Sequence, residues 1–296
     1  MSSSEFAVPA ATASAGASTG RSLAGSGTVR LLGNEVATLF RRWRTWAMLA
    51  ALALIPILLA VAIRLVGGSS PGRGPAFLDQ IANNGLFVAL AATVVAIPLF
   101  LPLTVSVAAG DAIAGEANHG TLRYLLIAPA GRIRLLVVKY LTAAVFCLAA
   151  TITLVVVGTV IGWALFPVGP VTLLSGVQVS VGEGLLRLLL IGAYASVSLL
   201  GLSAIGLFFS TLTTVPIGAM AATAILAVAA QIVGAIPQLE ALHPWLFTDR
   251  WLDFGDLLRS PIVWDSFAGN VALQGGYILV FGAAAILRFV TKDVLS

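Results

Sequence analysis

Six long apolar runs, at residues 46–66, 86–109, 137–166, 185–209, 217–236 and 268–287, dominate the chain. Each has the ~20 residues that a helix needs to cross the hydrocarbon of a bilayer. No water reaches backbone N–H and C=O groups there, so a spanning segment satisfies them within itself as a helix. The expected fold class is all-α, a polytopic membrane protein with six transmembrane helices. Of the 296 residues 59% are hydrophobic and 9% charged, far from the proportions of a soluble domain. The net charge of +4 does not indicate a nucleic-acid partner, because the basic residues flank the apolar runs and form no patch with aromatics. A single cysteine, Cys147, lies inside a run, so neither a disulfide framework nor a cysteine-based metal site is available.

Residues 1–27 are mostly Ser, Ala, Gly and Thr, too poor in large apolar side chains to offset the entropy of ordering. They are expected to form a disordered tail, with residues 28–296 forming one six-span domain. From Thr28 to Arg44, Leu32, Val36, Leu39, Phe40 and Trp43 fall on one helical face and Arg30, Glu35, Arg41 and Arg42 on the other, the pattern of an amphipathic helix in the membrane interface. Pro98 and Pro102 should kink the second span. Small residues in the fourth span, among them Gly192, Ser196, Ser198 and Gly201, permit close helix approach, and the Ala- and Gly-rich fifth span should pack against protein. The stretch 237–267 is too polar to span and holds three of the six tryptophans. In it Trp251, Phe254 and Leu258 share an α-helical face and Trp245 lies just upstream, which predicts short helices in contact with membrane lipids at the outer interface.

Topology follows from charge. Eleven of the sixteen Lys and Arg residues fall on one side of the six-span arrangement and seven of the twelve acids on the other. Short loops rich in Lys and Arg stay inside, so both termini are expected to be cytoplasmic. The most polar interruption, DAIAGEANHGTLRYLLIAPAGRIRLLVVK from Asp111 to Lys139, then faces the cytoplasm. Leu122, Leu125 and Leu126 give it a short helix with one apolar face, which Pro129 ends. A greasy helix on that side needs a partner surface.

Several chemistries are missing. No ionisable residue lies deep in any run; Arg64, Lys139 and Arg187 sit near run ends. Ion-coupled carriers commonly keep such a group in the membrane. No G-x-x-x-x-G-K-[ST] phosphate loop is present, so ATP hydrolysis by that chemistry belongs to another subunit. The two histidines, His119 and His243, fall on opposite sides of the expected topology and cannot share an enzymatic site.

The pattern of Glu116, Gly120-Thr121-Leu122, Leu125-Leu126, Pro129, Arg132 and Lys139 resembles the cytoplasmic loop of ABC-type-2 permeases, the membrane subunits of ABC exporters. The resemblance implies that the short helix is a coupling helix docked on an ATPase subunit. It further implies that residues 28–44 form an elbow helix, and that the Trp-rich stretch forms interfacial or re-entrant helices before the last span. Two permeases, identical or homologous, would meet along the first, second and fifth spans in the plasma membrane and bind two ATPase subunits. ATP and Mg would be held by those partners, with no cofactor in this chain. The path between permeases, lined by Thr, Ser, Tyr and apolar residues, would suit export of a hydrophobic or amphipathic cargo such as a drug, lipid or lipid-linked molecule. The alternative is a channel-like or regulatory scaffold subunit that uses no ATP.

Overall fold

The computed structural model describes residues 20–66, 84–118, 120 and 131–291, with residues 20–27 and 66 described in backbone only. Helix α1 (Gly20–Arg41) begins ahead of the expected Thr28, and a one-residue break at Arg42 leads into α2 (Trp43–Val66). The break is held from both sides: Thr45 Oγ1 donates to Leu39 O at 2.6 Å and Trp46 Nε1 to Phe40 O at 2.7 Å.

The second apolar run folds as two helices, α3 (Phe87–Ala96) and α4 (Phe100–Asn118), bent by 59°. The two expected prolines play different parts. Pro98 lies at the bend, where it has no N–H to give and its ring excludes the carbonyl four residues back. Gln231 Nε2 from a later helix donates to the Pro98 carbonyl and seals the break. Pro102 stands in the first turn of α4, where a missing N–H costs nothing. Helix α4 continues well past Ala109, so the first part of the polar interruption is helical.

Helix α5 (Arg132–Leu165) is 34 residues long. At 1.5 Å per residue it measures about 50 Å, against a hydrocarbon core of about 30 Å, so it projects beyond the lipid. A two-stranded antiparallel hairpin, β1 (Val171–Thr172) and β2 (Gln178–Val179), follows. Then come α6 (Val181–Ser198) and α7 (Leu200–Leu212), which together make the fourth span. This span is the centre of the bundle, with 72% of its apolar window buried against 17% to 39% for the other four single spans. Its small residues face inward as expected. Gly206 faces Ala109 of α4, where an added Cβ would sit 2.8 Å from the Ala109 Cβ.

Helix α8 (Pro216–Gly234) packs against protein along one face. Only Ala219, Thr223, Ala227 and Ala230 are buried on it, one stripe at helical spacing, while Ile217, Ile225 and Ile232 are exposed. Within one copy of the chain the fifth span is packed on a single face. Two 3₁₀ helices, η1 (Pro237–Trp245) and η2 (Asp253–Leu258), and the last helix, α9 (Asp265–Thr291), complete the chain.

Candidate functional site

The polar interruption leaves the bundle at the C-terminal end of α4 and re-enters at the N-terminal end of α5, so its feet lie at the bundle end that also holds α1. Gly120, with φ of +69°, takes the left-handed conformation after α4, its N–H bonded to Ala117 O at 3.1 Å. Thr121, Leu122, Leu125, Leu126 and Pro129 lie outside the described residues. Glu116 and Arg132 are described, one at each foot. Arg132 Nη1 donates to Val290 O of α9 at 2.9 Å.

Glu116 belongs to an ion network in a half-open cleft between α1, α4 and α5. Lys139 Nζ donates to Glu35 Oε2 of α1 at 2.7 Å and to Glu116 Oε1 at 3.1 Å. The Lys139 side chain is 6% exposed. Two carboxylates around one buried ammonium repay a desolvation that would otherwise exclude it. Beside this pair, Arg42 and Arg44 both reach Asp111 Oδ2, at 3.2 and 3.4 Å. Ser210 at the end of α7 fastens the same stretch of α4: its hydroxyl donates to Gly110 O and accepts from Ile113 and Ala114 N–H.

This network corrects the reading of the N-terminal amphipathic stretch. Glu35 lies half-buried with Leu32, Val36 and Leu39 on the packed face, and Trp43, assigned to that face, is 83% exposed. Glu35 turns inward because Lys139 offers a counter-charge there, which periodicity on α1 alone does not reveal.

The opposite end of the bundle corrects the reading of the Trp-rich stretch. Trp251 and Phe254 are buried in the protein core, not laid along an interface. The backbone here is 3₁₀ and turn, whose period of three residues puts Trp251, Phe254 and Leu257 on one side, so Leu257 is buried where Leu258 was expected. Trp251 meets Phe247 edge to face, and Phe254 meets Tyr194 of α6 in the same way. Trp245 is exposed. A residue not singled out from the sequence secures the segment: Arg187 of α6, 4% exposed, donates through Nη1 to Leu257 O and Arg259 O, both at 2.7 Å, and through Nη2 to Glu183 Oε1 at 2.7 Å. Its position near a span end was legible; its reach across 70 residues of chain was not. Burial raises the Asp253 carboxyl above its usual range, with Arg250 pulling the other way.

The fold and the position of the polar loop define a multi-pass helical membrane protein. Five helices are long and apolar enough to cross a membrane, or six if the bent pair α3–α4 counts as one span. The chain belongs to the family described as ABC-2 family transporter protein, whose model matches residues 29–244, and it is accordingly a membrane subunit for ABC transport. The match runs from α1 to η1, taking in the loop and its ion network and leaving η2 and α9 outside. No curated protein matches the chain.

Proposed function

We propose that the protein is the permease subunit of an ATP-driven exporter, and that the loop between α4 and α5 couples it to a separate ATPase subunit. The observation that carries this reading is the ion network of Lys139, Glu35 and Glu116. It joins both feet of the loop to α1, so a push on the loop reaches three helices together. Helices α4 and α5 run from those feet into the membrane, and α4 ends at the Pro98 bend, a place where such a movement can change direction. The partner ATPase would bind ATP and Mg.

A second permease, identical or homologous, would cover the exposed faces of α2 and α8, where Leu54, Leu58, Ile225 and Ile232 point outward. These apolar faces favour a hydrophobic or amphipathic cargo. The hydroxyls of Thr151, Ser196 and Ser198 are instead buried within one copy, bonding helix to helix, so they do not line a path between copies. The surplus of Lys and Arg at the loop end supports a plasma-membrane orientation with both termini cytoplasmic.

The test is to place a charge among the leucines of the loop, on the apolar face that their spacing predicts. Leu125→Asp and Leu126→Asp would each bury a carboxylate without a counter-charge in the partner's cleft, at a cost of about 3 kcal/mol or more. The expected result is loss of a co-expressed ABC ATPase subunit from the purified permease, or loss of coupled ATP hydrolysis in the reconstituted complex. Membrane insertion should be unaffected. Arg123→Ala should have a smaller effect, because a solvated ion pair contributes about 0–1 kcal/mol. Full ATPase retention with full hydrolysis in both Asp variants would remove the coupling role from this loop.

A further inference from the structure

The junction between α1 and α2 carries more positive charge than the described residues neutralise. Arg41 is exposed and has no hydrogen-bond or ion-pair partner among the described residues. Arg42 and Arg44 share one carboxylate oxygen of Asp111, Arg42 also lies 3.9 Å from Glu116 Oε1, and their side chains remain 48% and 54% exposed. Interleaved with them, Trp43 and Trp46 are 83% and 56% exposed. The Trp46 indole is held in place by its hydrogen bond to Phe40 O and meets the Phe40 ring edge to face, so its ring is a fixed apolar surface at the same junction.

We propose that this junction is a binding site for an anionic phospholipid, with Arg41 and Arg44 taking the phosphate and Trp43 and Trp46 flanking the glycerol and upper acyl region. Guanidinium groups bind phosphate oxygens through paired, charge-assisted hydrogen bonds. Exposed indoles favour the headgroup level of a bilayer, where an apolar ring and a polar edge are both accommodated. A free phosphate could use the arginines but not the indoles, and the neighbouring cleft would present it with the carboxylates of Glu35, Asp111 and Glu116. The proposal depends on the chain being a membrane protein and is independent of export or ATP.

Native mass spectrometry of the full-length protein, released from micelles containing equal amounts of phosphatidylglycerol and phosphatidylcholine, tests it. The wild-type chain should retain phosphatidylglycerol preferentially, and an excess of inorganic phosphate should not displace it. An arginine lying against a bound anionic headgroup contributes about fivefold to its binding, so Arg41→Gln should weaken retention by about that factor and Arg41→Gln with Arg44→Gln by more than tenfold. Arg41→Gln alone leaves the Asp111 ion pairs intact, so it decides the question if the double variant does not fold. Arg288→Gln, an exposed cation at the same end of the bundle on α9, should leave retention unchanged. Equal retention of the two lipids, displacement by inorganic phosphate, or an equal loss in Arg288→Gln would overturn the proposal.

Discussion

Lys139 of the third span lies 2.7 Å from Glu35 of the N-terminal helix, a partner 104 residues earlier in the chain. The ammonium is nearly sealed from solvent, and its second contact, to Glu116, comes from the foot of the loop. One side chain therefore fixes the register among α1, α4 and α5 at the end where the chain meets its surroundings.

Removing the cation should be costly, because Lys139→Met leaves two half-buried carboxylates facing each other. Breaking a buried pair costs about 3–5 kcal/mol, and partial exposure of Glu35 and Glu116 places the expected loss near 3 kcal/mol. Arg42→Ala, which removes a half-exposed partner of Asp111 that also lies 3.9 Å from Glu116, should cost no more than about 1 kcal/mol. Unfolding of the purified proteins in one detergent distinguishes the two, and equal losses would show that the Lys139 network is no stronger than a surface pair.

Arg187 should be equally intolerant of substitution at the opposite end. Its guanidinium fork holds two backbone carbonyls of the 257–259 segment, a geometry that a lysine ammonium cannot reproduce. Arg187→Lys is thus expected to resemble Arg187→Met, each costing about 3 kcal/mol. A cysteine at Leu257, 1% exposed, introduced in a Cys147→Ser background, reports on the segment. It should react slowly with maleimide alone and quickly when combined with either Arg187 variant. Slow labelling in Arg187→Lys would show that a single positive charge is sufficient.

Orientation can be read with the same background. Leu174, in the hairpin at the end opposite the loop, is 67% exposed, and Asn118 is exposed at the loop foot. A cysteine at Leu174 should label with an impermeant thiol reagent in intact cells, whereas one at Asn118 should label only after permeabilisation. The reverse pattern would place the loop outside and separate it from any cytoplasmic ATPase. Ser266 is only 9% exposed and hydrogen-bonds Asp256, so it is a poor site for this measurement.

The spans and the proline bend were legible in the sequence because each depends on local composition. Transfer of some twenty apolar residues into lipid needs no knowledge of neighbours, and a proline past the first turn removes one backbone hydrogen bond from its own helix whatever packs around it. Tertiary structure decided the rest. Glu35 looked like a solvated face residue until Lys139, far along the chain, supplied a reason to bury it. Trp251 and Phe254 looked interfacial because an α-helical period was assumed, whereas Arg187 and Tyr194 draw that segment into the core as 3₁₀ turns. The apolar residues of the central fourth span and the peripheral fifth read alike, since lipid and protein interior are both apolar. Which of the two surrounds a helix is settled by packing, through glycines such as Gly206 that let one backbone approach another, and by the few buried charges that find a partner.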